Sequence, residues 1–183
     1  VEYMDHTSNT IYVAFKVKKT NQDFLKDTSA IIWTTTPWTI PANKALAFNS
    51  NIEYSVIEIS ELDHFKEKKI IVATNLIESI TKACEIANYK ILKNFKGKEL
   101  SETICSHPFT KMDFDYDVPM LDAQFVNLEQ GTGIVHCAPS HGPDDFNLCL
   151  KNNIPSLYTV DSAGLYTKEI PYFTNIHIFK ADP

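Results

Sequence analysis

No uninterrupted apolar stretch in this chain exceeds strand length, and Ala30-Ile31-Ile32-Trp33 and Ile70-Ile71-Val72-Ala73 are about the longest. A helical membrane span needs roughly 20 such residues, so that class is excluded. Several runs alternate. Ile11, Val13, Phe15 and Val17 share one side of an extended segment, the pattern of a half-buried strand. Residues 30–34, 45–48, 52–59, 69–73 and 89–95 read as further strands. Between Ile52/Tyr54/Val56 and Ile57/Ile59 the apolar phase shifts, which predicts a bulge. Strands are also predicted over 124–128 and 133–138, with a loop over 108–119.

Helices are few. Asn75 with Glu78 three positions on resembles a capping box, followed by an apolar stripe of Leu76, Ile77, Ile80, Ala83, Cys84 and Ala87. A second short helix is predicted from Pro143 to about Lys151, with proline suited to its first turn. Strands and helices do not alternate regularly, which excludes a doubly wound parallel sheet. The expected fold is mainly β, a β-barrel with a few peripheral α-helices, as one domain over 1–183.

All 17 positive residues are lysine, against 23 acids, for a net charge of −6. An autonomous nucleic-acid binder normally carries a basic face, and the bidentate arginine fork for phosphate is missing. The clusters Lys16/Lys18/Lys19, Lys66/Lys68/Lys69 and Lys90/Lys93/Lys96/Lys98 read as solvated strand ends and turns. Four irregularly spaced cysteines, Cys84, Cys105, Cys137 and Cys149, fit reduced thiols better than a disulfide framework. The chain starts at Val1 without an initiator Met or signal peptide, and both ends read as cut from something longer.

Two segments are too unusual to be only structural. In Trp33-Thr34-Thr35-Thr36-Pro37-Trp38-Thr39-Ile40-Pro41-Ala42-Asn43, three hydroxyls stand where a strand meets a proline-stiffened loop. Taken alone, a hydroxyl-rich turn with both indoles in the core explains it about as well as a site does. In Gly131-Thr132-Gly133-Ile134-Val135-His136, a strand delivers His136 to the loop Cys137-Ala138-Pro139-Ser140-His141-Gly142, and a helix then opens with Asp144 and Asp145. One acid in a first helical turn complements the dipole; with two, one is free to face a pocket.

Sharper local readings fail. His136, Cys137 and His141 match no common zinc spacing. Ser140, His141 and Asp145 lack the nucleophile elbow of a hydrolase triad. Gly131-Thr132-Gly133 is half a dinucleotide fingerprint and precedes a strand, not a helix. No metal or cofactor is expected.

Together, the segment from Trp33 to Asn43 and the segment Gly131 to His136, with Pro139, Gly142 and Asp145, resemble the two motifs of the editing domain of isoleucyl-tRNA synthetases, of the class I aminoacyl-tRNA synthetase family. The motifs are long, in the expected order and about 100 residues apart. The opening Val1-Glu2-Tyr3 and the closing 175–180 resemble the domain's borders. Sister leucyl and valyl domains typically have Arg where this chain has Thr36, and the leucyl domain usually has Met at His136. The aminoacylation signatures H-I-G-H and K-M-S-K-S are absent, so the resemblance implies a hydrolase only.

The resemblance implies proofreading, the hydrolysis of valine misattached to isoleucine tRNA. This amino-acid pair is the standard illustration of the limit that one methylene supplies only about 1–3 kcal/mol of discrimination, so that a second site must edit. By the same resemblance, Asp145 grips the substrate α-ammonium, His136 limits pocket size, and Trp38 helps wall the pocket. Thr34, Thr35 and Thr36 position the ester, the terminal adenosine and an attacking water. The implied partners are the aminoacylated 3′ end of isoleucine tRNA, its valine moiety or valyl adenylate, and the rest of a parent synthetase. A cytoplasmic monomer that meets no membrane is expected. A module of the same fold that docks the acceptor end without hydrolysis is the alternative.

Overall fold

A computed structural model describes residues 9–60 and 67–181. The expected opening border, Lys66 and the last two residues lie outside them. Among the described residues nine strands form one sheet in the order β6-β4-β5-β2-β1-β7-β8-β3-β9. They are β1 (Ile11–Lys19), β2 (Ser29–Thr34), β3 (Ala45–Phe48), β4 (Glu53–Ile59), β5 (Lys69–Ala73), β6 (Tyr89–Lys96), β7 (Ile104–Ser106), β8 (Asp117–Asp122) and β9 (Val135–Cys137). The β2–β5 and β3–β8 pairs are parallel and the others antiparallel. Two short helices, α1 (Ile77–Ala83) and α2 (Pro143–Lys151), accompany them.

The fold is therefore mainly β with peripheral helices, and its sheet is open. β6 and β9 are its two ends. What approximates closure is a loop: the Ala73 amide donates to the Thr132 carbonyl at 2.8 Å, and the Tyr54 hydroxyl donates to the Gly133 carbonyl at 2.7 Å. Gly133 has φ +77°, and a Cβ there would stand 2.4 Å from that of Ala73. Only glycine lets the backbone pass this closely in this conformation. The turn that aims β9 depends on it.

Residues of both faces of β4 are buried, Tyr54 and Val56 as well as Ser55 and Ile57, so its apolar phase shift reflects two packed faces. The register does break between Val56 and Ile57, but only against β6, where Val56 faces Lys93 and Ile57 faces Ile91. The extra residue, Leu92, is on β6. Against β5 the register runs unbroken.

Five expectations need correction. No Asn75–Glu78 capping box forms; a 3-10 turn over Thr74–Leu76 already holds Asn75, and the N-cap of α1 is Leu76, which makes no side-chain cap. Ala83 and Ala87 of the expected stripe are exposed. The 124–128 segment is not a strand: its neighbourhood buries Ala123 and Val126, a spacing of three, and the Val126 carbonyl accepts from the Asn49 side chain. β8 instead begins inside the expected loop, and the strand expected over 133–138 is only the three residues of β9.

Candidate functional site

The threonine run forms a corner. Thr34 ends β2, and its Oγ1 accepts from the Thr36 amide at 3.1 Å and lies 3.2 Å from the Thr36 hydroxyl. A side-chain oxygen that captures a backbone N–H two residues on favours a turn over continued strand. Pro37 then opens a 3-10 segment, Pro37–Ala42, with its fixed φ suited to the first position.

Side chains hold that segment and its two caps by their carbonyls, one from within it and three from distant parts of the chain. Thr39 Oγ1 donates to the Thr36 carbonyl at 2.8 Å, and the Tyr166 hydroxyl donates to that of Trp38. His107 Nε2 bonds the Ile40 carbonyl at 3.0 Å, and the Tyr116 hydroxyl that of Asn43 at 2.6 Å. His107 Nδ1 accepts from the Phe109 amide, so its proton sits on Nε2. Burial among Phe15, Phe109, Phe114 and Tyr116 pushes the pKa of His107 down to about 4.

β9 brings His136 to this corner through its antiparallel pairing with β3, opposite Leu46. Asn43 Nδ2 donates to the Ala45 carbonyl at 2.9 Å, which fixes the amide's orientation, and to His136 Nδ1 at 2.8 Å. The ring proton is therefore on Nε2, which donates to Thr39 Oγ1 at 2.9 Å. Desolvation, with His107 and His141 nearby, lowers the His136 pKa to about 3. His136 is neutral and both its nitrogens are engaged, so it is no proton acceptor. The arrangement leaves Asn43 Oδ1 buried without a partner among the described residues, a cost of about 1–3 kcal/mol.

Asp145 sits in the first turn of α2, yet its Oδ2 accepts from the Ala138 amide at 2.9 Å and so ties the helix to the end of β9. Its Oδ1 has no hydrogen bond among the described residues. Burial raises the pKa of Asp145; the Ala138 amide opposes this and Asp144 adds to it.

One cavity of about 260 Å³ gathers Thr34, Thr35, Thr36, His136 and Asp145, together with Trp33, Thr39, Val135, Ala138 and His141. Trp38 lines a neighbouring cavity of about 420 Å³ with Ser140, Ser156, Leu157, Tyr158, Thr159 and Val160. His141 borders both and packs edge-on against Trp38, with ring centres 4.9 Å apart. Thr39 and Asn43 had no sequence signal beyond lying inside the first motif. Tyr166, His107 and Tyr116 had none at all. Among the described residues no three of His, Cys, Asp and Glu come together as metal ligands would.

The chain resembles known proteins along nearly its whole length. The family described as leucyl-tRNA synthetase, editing domain, matches residues 7–177. The isoleucine–tRNA ligase of Pelagibacter ubique is 63% identical over 183 residues, covering 100% of this chain and 20% of that protein. That of Gluconobacter oxydans is 42% identical over 190 residues, again with 100% and 20% coverage. The chain thus spans about a fifth of the curated relatives it matches. Among solved structures, the cytosolic leucyl-tRNA synthetase editing domain of P. knowlesi superposes with a TM-score of 0.58 at 16% identity, over 78% of this chain and 60% of that one. At that identity the likeness speaks for the fold alone. The match of one family across nearly all residues, with isoleucine–tRNA ligases as whole-chain relatives, decides the matter: the chain belongs to the editing-domain family of the aminoacyl-tRNA synthetases, as a domain of the isoleucyl type.

Proposed function

We propose that the threonine cavity hydrolyses valine from isoleucine tRNA, as the proofreading site of a larger synthetase that presents the aminoacylated 3′ end to it. Valyl adenylate, which carries the same aminoacyl group, is the second candidate substrate. The observation that carries this reading is the pairing, in one 260 Å³ cavity, of an incompletely bonded carboxylate with a corner of three threonines. A primary ammonium leaving water needs a charge-assisted partner, and Asp145 Oδ1 supplies it. The ester then lies toward Thr34, Thr35 and Thr36.

His136 acts by size. Its edge is bonded on both nitrogens and cannot turn away, so a side chain longer than valine meets a fixed wall. No side chain of the cavity serves as an evident general base. Water is oriented by threonine hydroxyls, backbone and the free ribose hydroxyl of the substrate. Rate enhancement then comes from placement, which supplies several kcal/mol when geometry is held. Trp38, across the His141 partition, backs the wall. The domain is proposed to act as a monomeric unit within its parent chain, in the cytoplasm where aminoacylated tRNA is made.

The test is deacylation of isoleucine tRNA charged with valine or with isoleucine, by the full-length protein and its Asp145→Ala variant. Release of valine faster than isoleucine, lost in the variant, is expected. A wild-type protein that releases neither would overturn the hydrolase and leave the docking module.

A further inference from the structure

His141 borders both cavities and packs edge-on against Trp38, which lines the larger one, and both residues are tied to the same stretch of chain. The Tyr166 hydroxyl donates to the Trp38 carbonyl across 128 positions of sequence. Thr159 Oγ1 lies 2.9 Å from His141 Nε2. Thr159 and Tyr166 are themselves joined: Val160 and Tyr166 form a β-bridge, and the Thr167 amide donates to the Thr159 carbonyl at 3.0 Å. Both residues are buried, Tyr166 with 1% and Thr159 with 2% of its surface exposed. Tyr166 is further wedged against Phe173, with ring centres 5.6 Å apart. Nothing in the sequence marks this stretch as part of the site.

We infer that Tyr166 is a positioning residue for substrate selection, holding the Trp38–His141 partition and thereby keeping the threonine cavity closed off from its larger neighbour. The inference rests on the hydrolase reading above. A cavity of about 260 Å³ excludes a side chain by size only while its walls stay put. Beyond the partition about 420 Å³ stand ready to accept whatever pushes through. His136 is fixed by Asn43 and Thr39, whereas His141 is held by Thr159 and by the ring of Trp38, whose own carbonyl depends on Tyr166. Loss of one hydroxyl therefore takes the side-chain partner from a part-buried carbonyl and frees the partition, while every residue proposed to touch substrate remains in place.

The experiment compares Tyr166→Phe and Thr159→Val with wild type in the full-length protein, well below the melting temperature. Two readouts are taken: single-turnover hydrolysis of valyl and isoleucyl esters of isoleucine tRNA, and amide hydrogen exchange at Thr39 and Asn43. Both amides close the 3-10 segment onto carbonyls three residues back. In Tyr166→Phe the valyl-to-isoleucyl rate ratio is expected to fall roughly tenfold, and exchange at the two amides to quicken by a similar factor. Thr159→Val, which frees His141 alone, is expected to lower the ratio with exchange unchanged. A wild-type ratio in both variants would overturn the inference, even with faster exchange, because the tether would then serve stability only. If wild-type protein hydrolyses neither ester, the hydrolase reading fails by itself, and the exchange rates still decide whether Tyr166 holds the segment.

Discussion

His136 Nε2 donates to Thr39 Oγ1 at 2.9 Å, and the same hydroxyl donates in turn to the Thr36 carbonyl at 2.8 Å. A residue from the end of the sheet thus sets the backbone of the threonine corner through one intermediary, 97 positions away in sequence. The ring is part of the scaffold as well as part of the wall.

If His136 is wall and not base, His136→Ala keeps valyl-ester hydrolysis within about tenfold of wild type, whereas loss of a general base costs about 10²–10⁴-fold. Isoleucyl-ester hydrolysis rises in the same variant. Deacylation rates for the two esters check both points.

Asp145→Asn removes the charge proposed to hold the ammonium and keeps an acceptor for the Ala138 amide. A charge-assisted bond of about 1.5–3 kcal/mol corresponds to a loss of roughly 10–100-fold in kcat/KM. Burial raises the folded-state pKa of this carboxyl, so its ionised form weakens the fold as pH climbs past the unfolded-state value. Asp145→Asn is therefore expected to melt at or above the wild-type temperature at pH 7. A marked drop in melting temperature would contradict this. Hydrolysis by wild type should fall away on the acid side at a pH above the ordinary aspartate value of 3.8.

The two neutral histidines make the fold acid-sensitive. His107 is lowered to about 4 and His136 to about 3, from 6.5 in the unfolded chain. The unfolded state takes up protons first, so stability is full above pH 6.5 and declines as pH falls toward those values. For His107 the full loss is of order 3 kcal/mol. Denaturant titrations at pH 7 and pH 5 should show the decline, and His107→Gln should flatten it.

Gly133→Ala meets both a positive φ and a neighbouring Cβ at 2.4 Å. Overpacking and a left-handed alanine together are expected to cost about 2–4 kcal/mol. The loss should appear in the denaturation midpoint and, because this turn aims β9, in hydrolysis as well.

The strands with local hydrophobic pattern were legible: β1 through β6 fall within a residue or two of their expected bounds, and α2 lies where expected. The residues of the cavity were legible too, because all ten that line it stand in two unusual segments. What escaped was set by partners far along the chain. β8 contains a proline and pairs with β7 and β3 on non-local terms. At Val126 the carbonyl is served by the Asn49 side chain instead of a ladder. The tethers from His107, Tyr116 and Tyr166 end on carbonyls, which carry no sequence at all. The open end of the sheet likewise depends on how β9 is aimed, and no residue type announces that.

β9 has three residues at the sheet's end, and it pairs His136 with Leu46, 90 positions earlier in the chain. β1 and β2, by contrast, pair over six residues joined by a short connection. Closing a long loop costs entropy that only late contacts repay. During refolding the apolar sheet is therefore expected to acquire amide protection before the cavity exists, with specificity returning as the slower signal. A pulse-labelling experiment that found β9 protected as early as β1 and β2 would contradict this order. The same separation lets His136 and Asp145 be altered with little effect on the rate at which the sheet first forms.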